Sequence, residues 1–206
     1  MPDQPGRRER KKQQTRERIA ETARRLFTER GFERVTVAEI ARGADVAEQT
    51  VYNYFPTKED LVYWRLESFE EQLLQAIRER QGGESVPAAF GRWLLAQRGM
   101  LAEVPVSEEL LAMTRMIAES PALRAREQQI FARYTASLAE LIARETAAAP
   151  DDIRPWAAAN ALLGIHRALI DYARQRILAG TVNPALSRDV RAQARRALAA
   201  LEQGFA

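Results

Sequence analysis

Apolar residues recur at helical spacing from Ile19 to Leu201, and no stretch alternates in the two-residue rhythm of a strand. The pattern predicts an all-α protein. The segment TRERIAETARRLFTERG places Ile19, Ala20, Ala23, Leu26 and Phe27 on one face, with Thr15 suited to cap its start and Gly31 to stop it. In the next segment Val37, Ile40, Ala41 and Ala44 share a face, and Thr36 with Glu39 has the spacing of a capping box. The chain breaks at Ala44 and Asp45, then resumes its apolar face at Val46, Val51 and Phe55. Helix, turn, helix is therefore expected over 36–55. Thr57 and Asp60 form a second box, opening a helix that the pattern carries to residue 80 along Leu61, Val62, Leu66, Phe69, Leu73 and Ile77. A helix of ~22 residues spans roughly 33 Å at 1.5 Å per residue, which suits a connector between two bodies.

QGGESVP, residues 81–87, is the strongest punctuation in the chain. Five more helical segments follow, over 86–100, 107–119, 120–146, 153–179 and 187–203. They are separated by AEVPVS, by Ser120-Pro121, by APDDIRP and by AGTVNPALS, with proline near starts and glycine near ends as helix boundaries prefer. The expected organisation is a mobile basic arm over 1–13, a three-helix unit over 14–60 and a larger helical domain over 61–206.

Charge changes this picture at one end of the chain. The net charge is only +3, but between residues 7 and 18 Arg7, Arg8, Arg10, Lys11, Lys12, Arg16 and Arg18 face only Glu9 and Glu17. Such a patch suits a polyanion, although a solubilising tail has the same composition. The arm lacks the apolar face that insertion at a membrane surface needs. No apolar run approaches the ~18 residues that span a bilayer, and no secretory leader is recognisable, which points to a soluble, cytoplasmic protein without a membrane partner. With no cysteine and one histidine, neither a metal site nor a histidine-based catalytic triad is expected, and no cofactor motif is present. The paired acids Glu108-Glu109 and Asp151-Asp152 lie near helix starts, where capping explains them. An enzyme is not expected.

The second helix of the pair carries Glu48, Gln49, Thr50 and Asn53 on its outer face, all able to hydrogen-bond base edges in a major groove. The succession LFTERGF, TVAEIA, a turn, then TVYNYFPTKEDL resembles the tetracycline-repressor (TetR) family of bacterial transcriptional regulators over about residues 16–61. One position departs from it, since the family usually has glycine where this chain has Asp45; aspartate tolerates a left-handed backbone better than most residues. The resemblance implies that Thr36, Tyr54 and Lys58 contact the DNA backbone, that Gln49, Thr50 and Asn53 face bases, and that Tyr52 either packs inward or reaches a phosphate. Glu48 suits solvent as well as a cytosine amino group.

The resemblance further implies a homodimer on a palindromic operator of double-stranded DNA, with half-sites roughly 34–36 Å apart. In the family the last two long helices form a four-helix bundle with those of the partner, here 153–179 and 187–203. Arg188, Arg191, Arg195 and Arg196 on the final helix are expected to be solvated. The larger domain is expected to hold an apolar small-molecule effector that releases the DNA. Its candidate lining is Phe90, Trp93, Met113, Arg115, Tyr134, Asn160 and His166, residues that set aromatic or polar groups among apolar neighbours. Arg167 and Asp171 have the spacing of an ion pair. The stretch Pro121 to Arg126 is similar to the body of mycofactocin-system regulators within the same family. The competing expectation is a helical small-molecule-binding protein or enzyme on this fold that does not use DNA.

Overall fold

The computed structural model describes residues 6–97, 107–181 and 185–203. The first five residues of the expected arm, the end of the 86–100 helix, AEVPV at 102–106 and VNP at 182–184 lie outside the described residues. The helices are α1 (Arg7–Arg30), α2 (Val37–Gly43), α3 (Glu48–Tyr54), α4 (Asp60–Tyr63), α5 (Glu67–Arg78), α6 (Val86–Ala96), α7 (Glu108–Glu119), α8 (Pro121–Glu145), α9 (Arg154–Leu178) and α10 (Ala185–Glu202), with a 3-10 turn at Trp64–Leu66. No strand occurs among the described residues. The protein is all-α, as its periodicity predicts.

Two compact units emerge. The first comprises residues 1–66 together with 115–126, and the second 67–114 with 127–206. The first unit takes in a segment that the sequence places in the second domain, for a physical reason. Two side chains of α4 and one from the turn after α1 tie down the corner between α7 and α8. Asp60 accepts from Arg126 at 2.7–2.8 Å, Tyr63 donates to the Leu123 carbonyl at 3.0 Å, and Glu33 accepts from the buried Ser120 hydroxyl at 3.0 Å.

Two local expectations fail. Residues 7–13 are not an arm but the opening turns of α1, which starts after Gly6; Thr15 donates to the Lys11 carbonyl and caps nothing. Arginine, lysine, glutamine and glutamate are good helix formers, and between Arg7 and Arg30 neither proline nor glycine interrupts them. The single helix expected over 57–80 is cut by the 3-10 turn at Trp64–Leu66. Its two halves serve different cores: Leu61 and Tyr63 are buried in the first unit, Leu73 and Ile77 in the second. One straight stripe cannot satisfy both, and a tighter turn of 3-10 geometry resets the phase.

The core of the first unit is Ile19, Ala20, Ala23, Phe27, Ile40, Ala44, Val51, Phe55 and Leu61, each at most 2% exposed. Helices α1 and α2 cross closely at Gly43, where an added Cβ would lie 2.8 Å from the Thr22 methyl group. In the second unit α9 packs on α10, α5 on α6 and α6 on α10. Arg174, only 15% exposed, bonds Glu127 at 2.7 Å and also Asp171 at 3.2 Å, so Asp171 pairs with Arg174 rather than with Arg167. On α10, Arg188, Arg195 and Arg196 are exposed, whereas Arg191 donates to the Leu95 carbonyl.

Candidate nucleic-acid interface and aromatic cluster

Helix α2 begins at the expected capping box. Thr36 Oγ1 accepts from the Glu39 amide at 3.2 Å, while the Glu39 carboxylate accepts from the Thr36 amide at 2.8 Å and hydroxyl at 2.9 Å. Arg30 adds a salt bridge at 2.8 Å. The Thr36 amide first, then Arg30 and the Thr36 hydroxyl, hold the Glu39 carboxyl down to about 2. The helix ends in a Schellman motif, with the Val46 amide on the Ala41 carbonyl and the Asp45 amide on the Arg42 carbonyl. Asp45 occupies the left-handed position at φ 51°, so the turn is made without the glycine typical of the family.

This turn launches α3 from the N-cap Ala47. Val51 is its one buried residue, and Phe55 just beyond it is 1% exposed. Anchored by these two groups, the helix leaves Glu48, Gln49, Tyr52 and Asn53 exposed, with Thr50 and Tyr54 half-buried. Gln49 donates to Asn53 at 3.3 Å, so the two amides on the outer face are already oriented toward each other. Tyr52 does not pack inward; it is 42% exposed.

Beyond α3, Thr57 and Asp60 exchange the expected reciprocal bonds, although the helix proper starts at Asp60. Lys58 between them lies half-buried, its ammonium 4.2 Å from the centre of the Phe32 ring. Burial pushes its pKa below the ordinary lysine value, against the opposing charges of Glu33 and Glu59. A cation held this way sits beside the end of α3 with its side chain already ordered. Arg16 of α1 stacks over the Phe55 ring at 5.4 Å, which ties the basic helix to the same end of α3.

The residues nominated for an effector divide. Phe90, Trp93, Tyr134 and His166 are buried in the second unit; the last three meet Phe69, a residue counted in the sequence only as part of an apolar stripe, and Phe90 packs on Trp93. Phe131, also not nominated, closes the group edge-on to Tyr134 and His166. Met113 is half-buried. Arg115 is exposed and belongs to the first unit, and Asn160 is exposed and donates to the Trp156 carbonyl one turn back, so neither joins the cluster. Desolvation holds the His166 imidazole down to about 4, and it is therefore neutral at physiological pH. Among the described residues no group of His, Asp and Glu side chains is arranged to hold a metal ion, and no helix is long and apolar enough to cross a membrane.

Residues 19–63 match the family described as "Bacterial regulatory proteins, tetR family", and residues 95–206 match the "MftR C-terminal domain". The chain is 31% identical over 159 residues to the HTH-type transcriptional regulator TcmR of Streptomyces glaucescens, covering 75% of this chain and 70% of that one. It is 26% identical over 158 residues to the putative mycofactocin biosynthesis transcriptional regulator MftR of Mycobacterium tuberculosis, covering 76% and 78%. The fold is shared with NalD, the secondary repressor of the MexAB-OprM multidrug efflux pump in Pseudomonas aeruginosa (TM-score 0.57, 21% identity, 93% and 97% covered). It is shared also with a TetR-family regulator from Syntrophomonas wolfei (TM-score 0.58, 19% identity, 91% and 96% covered).

Proposed function

The chain belongs to the TetR family of bacterial regulatory proteins and is a DNA-binding transcriptional regulator; from that premise we propose that it is a repressor, released from a palindromic operator by a small molecule. The observation that carries this reading is α3, a short helix anchored by Val51 and Phe55 that exposes Gln49 and Asn53, with Thr50 half-buried beside them. Amide side chains in that position read adenine edges in a major groove, and threonine contacts several bases. The half-buried Tyr54 and Lys58, with Thr36 at the α2 N-terminus, hold phosphates and so set the register of the helix without reading sequence. The basic opening turns of α1 add phosphate contacts of the same kind, from Arg8, Arg10, Lys11 and Lys12, all exposed.

Family members work as dimers, and the exposed apolar residues of α9 support a partner copy on that helix. Ile153 is 77% exposed, Trp156 51% and Leu178 39%, and an added Cβ at Gly164 on this helix would meet nothing within 4 Å. A second α9 laid on this stripe covers it, and a dimer whose two α3 helices enter successive major grooves demands half-sites roughly 34–36 Å apart. Effector release requires that the small molecule bind the DNA-free conformation more tightly than the DNA-bound one.

The test is selection of bound sequences from a random duplex library, followed by affinity measurements at several salt concentrations. Enrichment of an inverted repeat, with affinity falling steeply as salt rises, supports the reading. Recovery of no preferred sequence overturns it.

A further inference from the structure

Six rings meet inside the second unit, and the geometry around one of them differs from the rest. Phe90, Trp93, Phe131, Tyr134 and His166 are all at most 7% exposed, whereas Phe69 is half-buried and is the member of the group that reaches the surface. His166 stacks on the Phe69 ring at 4.5 Å and 9°, Tyr134 stacks at 5.5 Å, and Trp93 meets it edge-on at 4.7 Å. The Phe69 ring is thus held by side chains of α6, α8 and α9, on a residue three positions past the 3-10 turn.

Among the described residues two polar atoms of this cluster have no hydrogen-bond partner, Trp93 Nε1 and His166 Nδ1. Both residues touch Phe69. Leaving such a group unpaired inside a protein is unfavourable, and a purely apolar ring carries no such penalty. A cluster serving only as packing has no use for two open polar atoms. A ligand does.

Resting on the reading of the protein as an effector-released regulator, we propose that Phe69 is a placeholder in the effector site, and that the effector is an uncharged, flat aromatic molecule bearing hydroxyl or carbonyl oxygens. Its ring replaces that of Phe69 on His166, and its oxygens satisfy Trp93 Nε1–H and His166 Nδ1. The walls explain each property. Stacked rings select a planar π-system. The desolvated neutral imidazole supplies no counter-charge, and a buried ion here would be unpaired. The guanidinium groups nearest the cluster, Arg133 over Tyr134 and Arg167 over Phe131, belong to exposed residues, and Arg133 is already bonded to Glu70 at 3.0 Å.

Phe69→Ala vacates a space the size of one substituted benzene, so p-cresol and toluene serve as probes with and without the oxygen. Titration calorimetry on the full chain should show p-cresol binding Phe69→Ala at least tenfold more tightly than wild type, and at least tenfold more tightly than toluene binds the same variant. Adding Trp93→Phe and His166→Phe to that background should bring the cresol-to-toluene ratio near one while toluene affinity stays within about threefold. Because the ratio is taken within each variant, a general loosening of the core moves both probes and leaves it unchanged. Should Phe69→Ala fail to fold, Phe69→Leu carries the same test with a smaller gain. Equal affinity of wild type and Phe69 variant for p-cresol, or a cresol preference that survives loss of both polar atoms, overturns the proposal. Duplex binding by the wild type without any probe is measured separately. Specific duplex binding beside a negative cresol result therefore rejects this inference and leaves the regulator reading standing.

Discussion

Helix α3 and the aromatic cluster place their polar groups on opposite sides of the protein surface. In α3 the apolar residues Val51 and Phe55 are inside and the amides of Gln49 and Asn53 are outside. In the cluster the rings line the interior and the polar atoms of Trp93 and His166 are sealed among them. A polar group in water gains little from a new hydrogen bond, so α3 obtains discrimination by matching several donors and acceptors at once to a rigid partner. A buried open group gains the whole penalty of its isolation when a partner arrives, so two atoms suffice for selectivity. The outer site suits a large polyanion and the inner one a small, mostly apolar molecule.

Several changes break or sharpen this comparison. The largest effect is expected where the first unit depends on a paired charge. Asp60→Ala removes the Asp60 bond to Arg126 and the reciprocal bonds to Thr57, and it should destabilise that unit by about 3 kcal/mol in urea unfolding followed by circular dichroism. A drop below ~1 kcal/mol would mean that the corner at 120–126 is held by apolar packing alone.

The inner site predicts a pH effect of comparable size. His166 is neutral in the folded protein down to about 4, against an ordinary value of 6.5. The unfolded chain therefore binds more protons between these limits, and folding stability is full above pH 6.5 and declines as pH falls to 4, by ~3 kcal/mol over the window. Thermal melts across this range should show the decline, and His166→Phe should flatten it. An unchanged slope in the variant would show that the carboxylates alone set the acid response.

On the outer site the effects are smaller and differ in kind. Asn53→Ala should lower affinity for the selected operator by about 1–3 kcal/mol and relax discrimination at one base pair. Lys58→Ala should weaken binding to all duplexes alike and reduce the salt slope by about one. Fluorescence anisotropy on matched and mismatched duplexes separates the two; equal loss of specificity from both would contradict the assignment of Lys58 to the backbone. The smallest effect concerns the turn between α2 and α3. Asp45→Val forces a β-branched residue to φ 51° and should destabilise the first unit by about 1 kcal/mol, whereas Asp45→Gly should change it by less than that. Denaturant midpoints of the two variants check this.

Where helices begin and turn was largely legible from short-range chemistry. The reciprocal caps Thr36 with Glu39 and Thr57 with Asp60, the stop at Gly31 and the cap at Ser120 all act within four residues, so spacing reveals them. The start of α1 was misplaced because a charge run reads equally as a mobile tail and as an exposed helix, and neither choice changes its apolar pattern. The 3-10 turn at 64–66 was invisible for a different reason. A continuous stripe from Leu61 to Ile77 says that both halves are buried, not that they are buried against different cores.

The candidate sites divide in the same way. The seven residues nominated for DNA contact lie within 23 positions of one another, and local helix phase is enough to turn Gln49, Tyr52 and Asn53 outward. Of the residues that unusual side chains among apolar neighbours single out, Phe90, Trp93, Tyr134 and His166 join the aromatic cluster, while Arg115 and Asn160 are exposed and lie outside it. Phe69 and Phe131 were missed because a phenylalanine on an apolar stripe carries no mark of what it touches. Sequence by itself determined the helical architecture, the capped helix-turn-helix and the outward face of α3, since each is decided by bonds and phases spanning a few residues. Tertiary structure alone decided that residues 115–126 complete the first unit, that Arg126 clasps Asp60, and that Phe69 stacks on the rings of Tyr134 and His166. Those contacts join residues 60 to 100 positions apart, and no local rule of spacing constrains them.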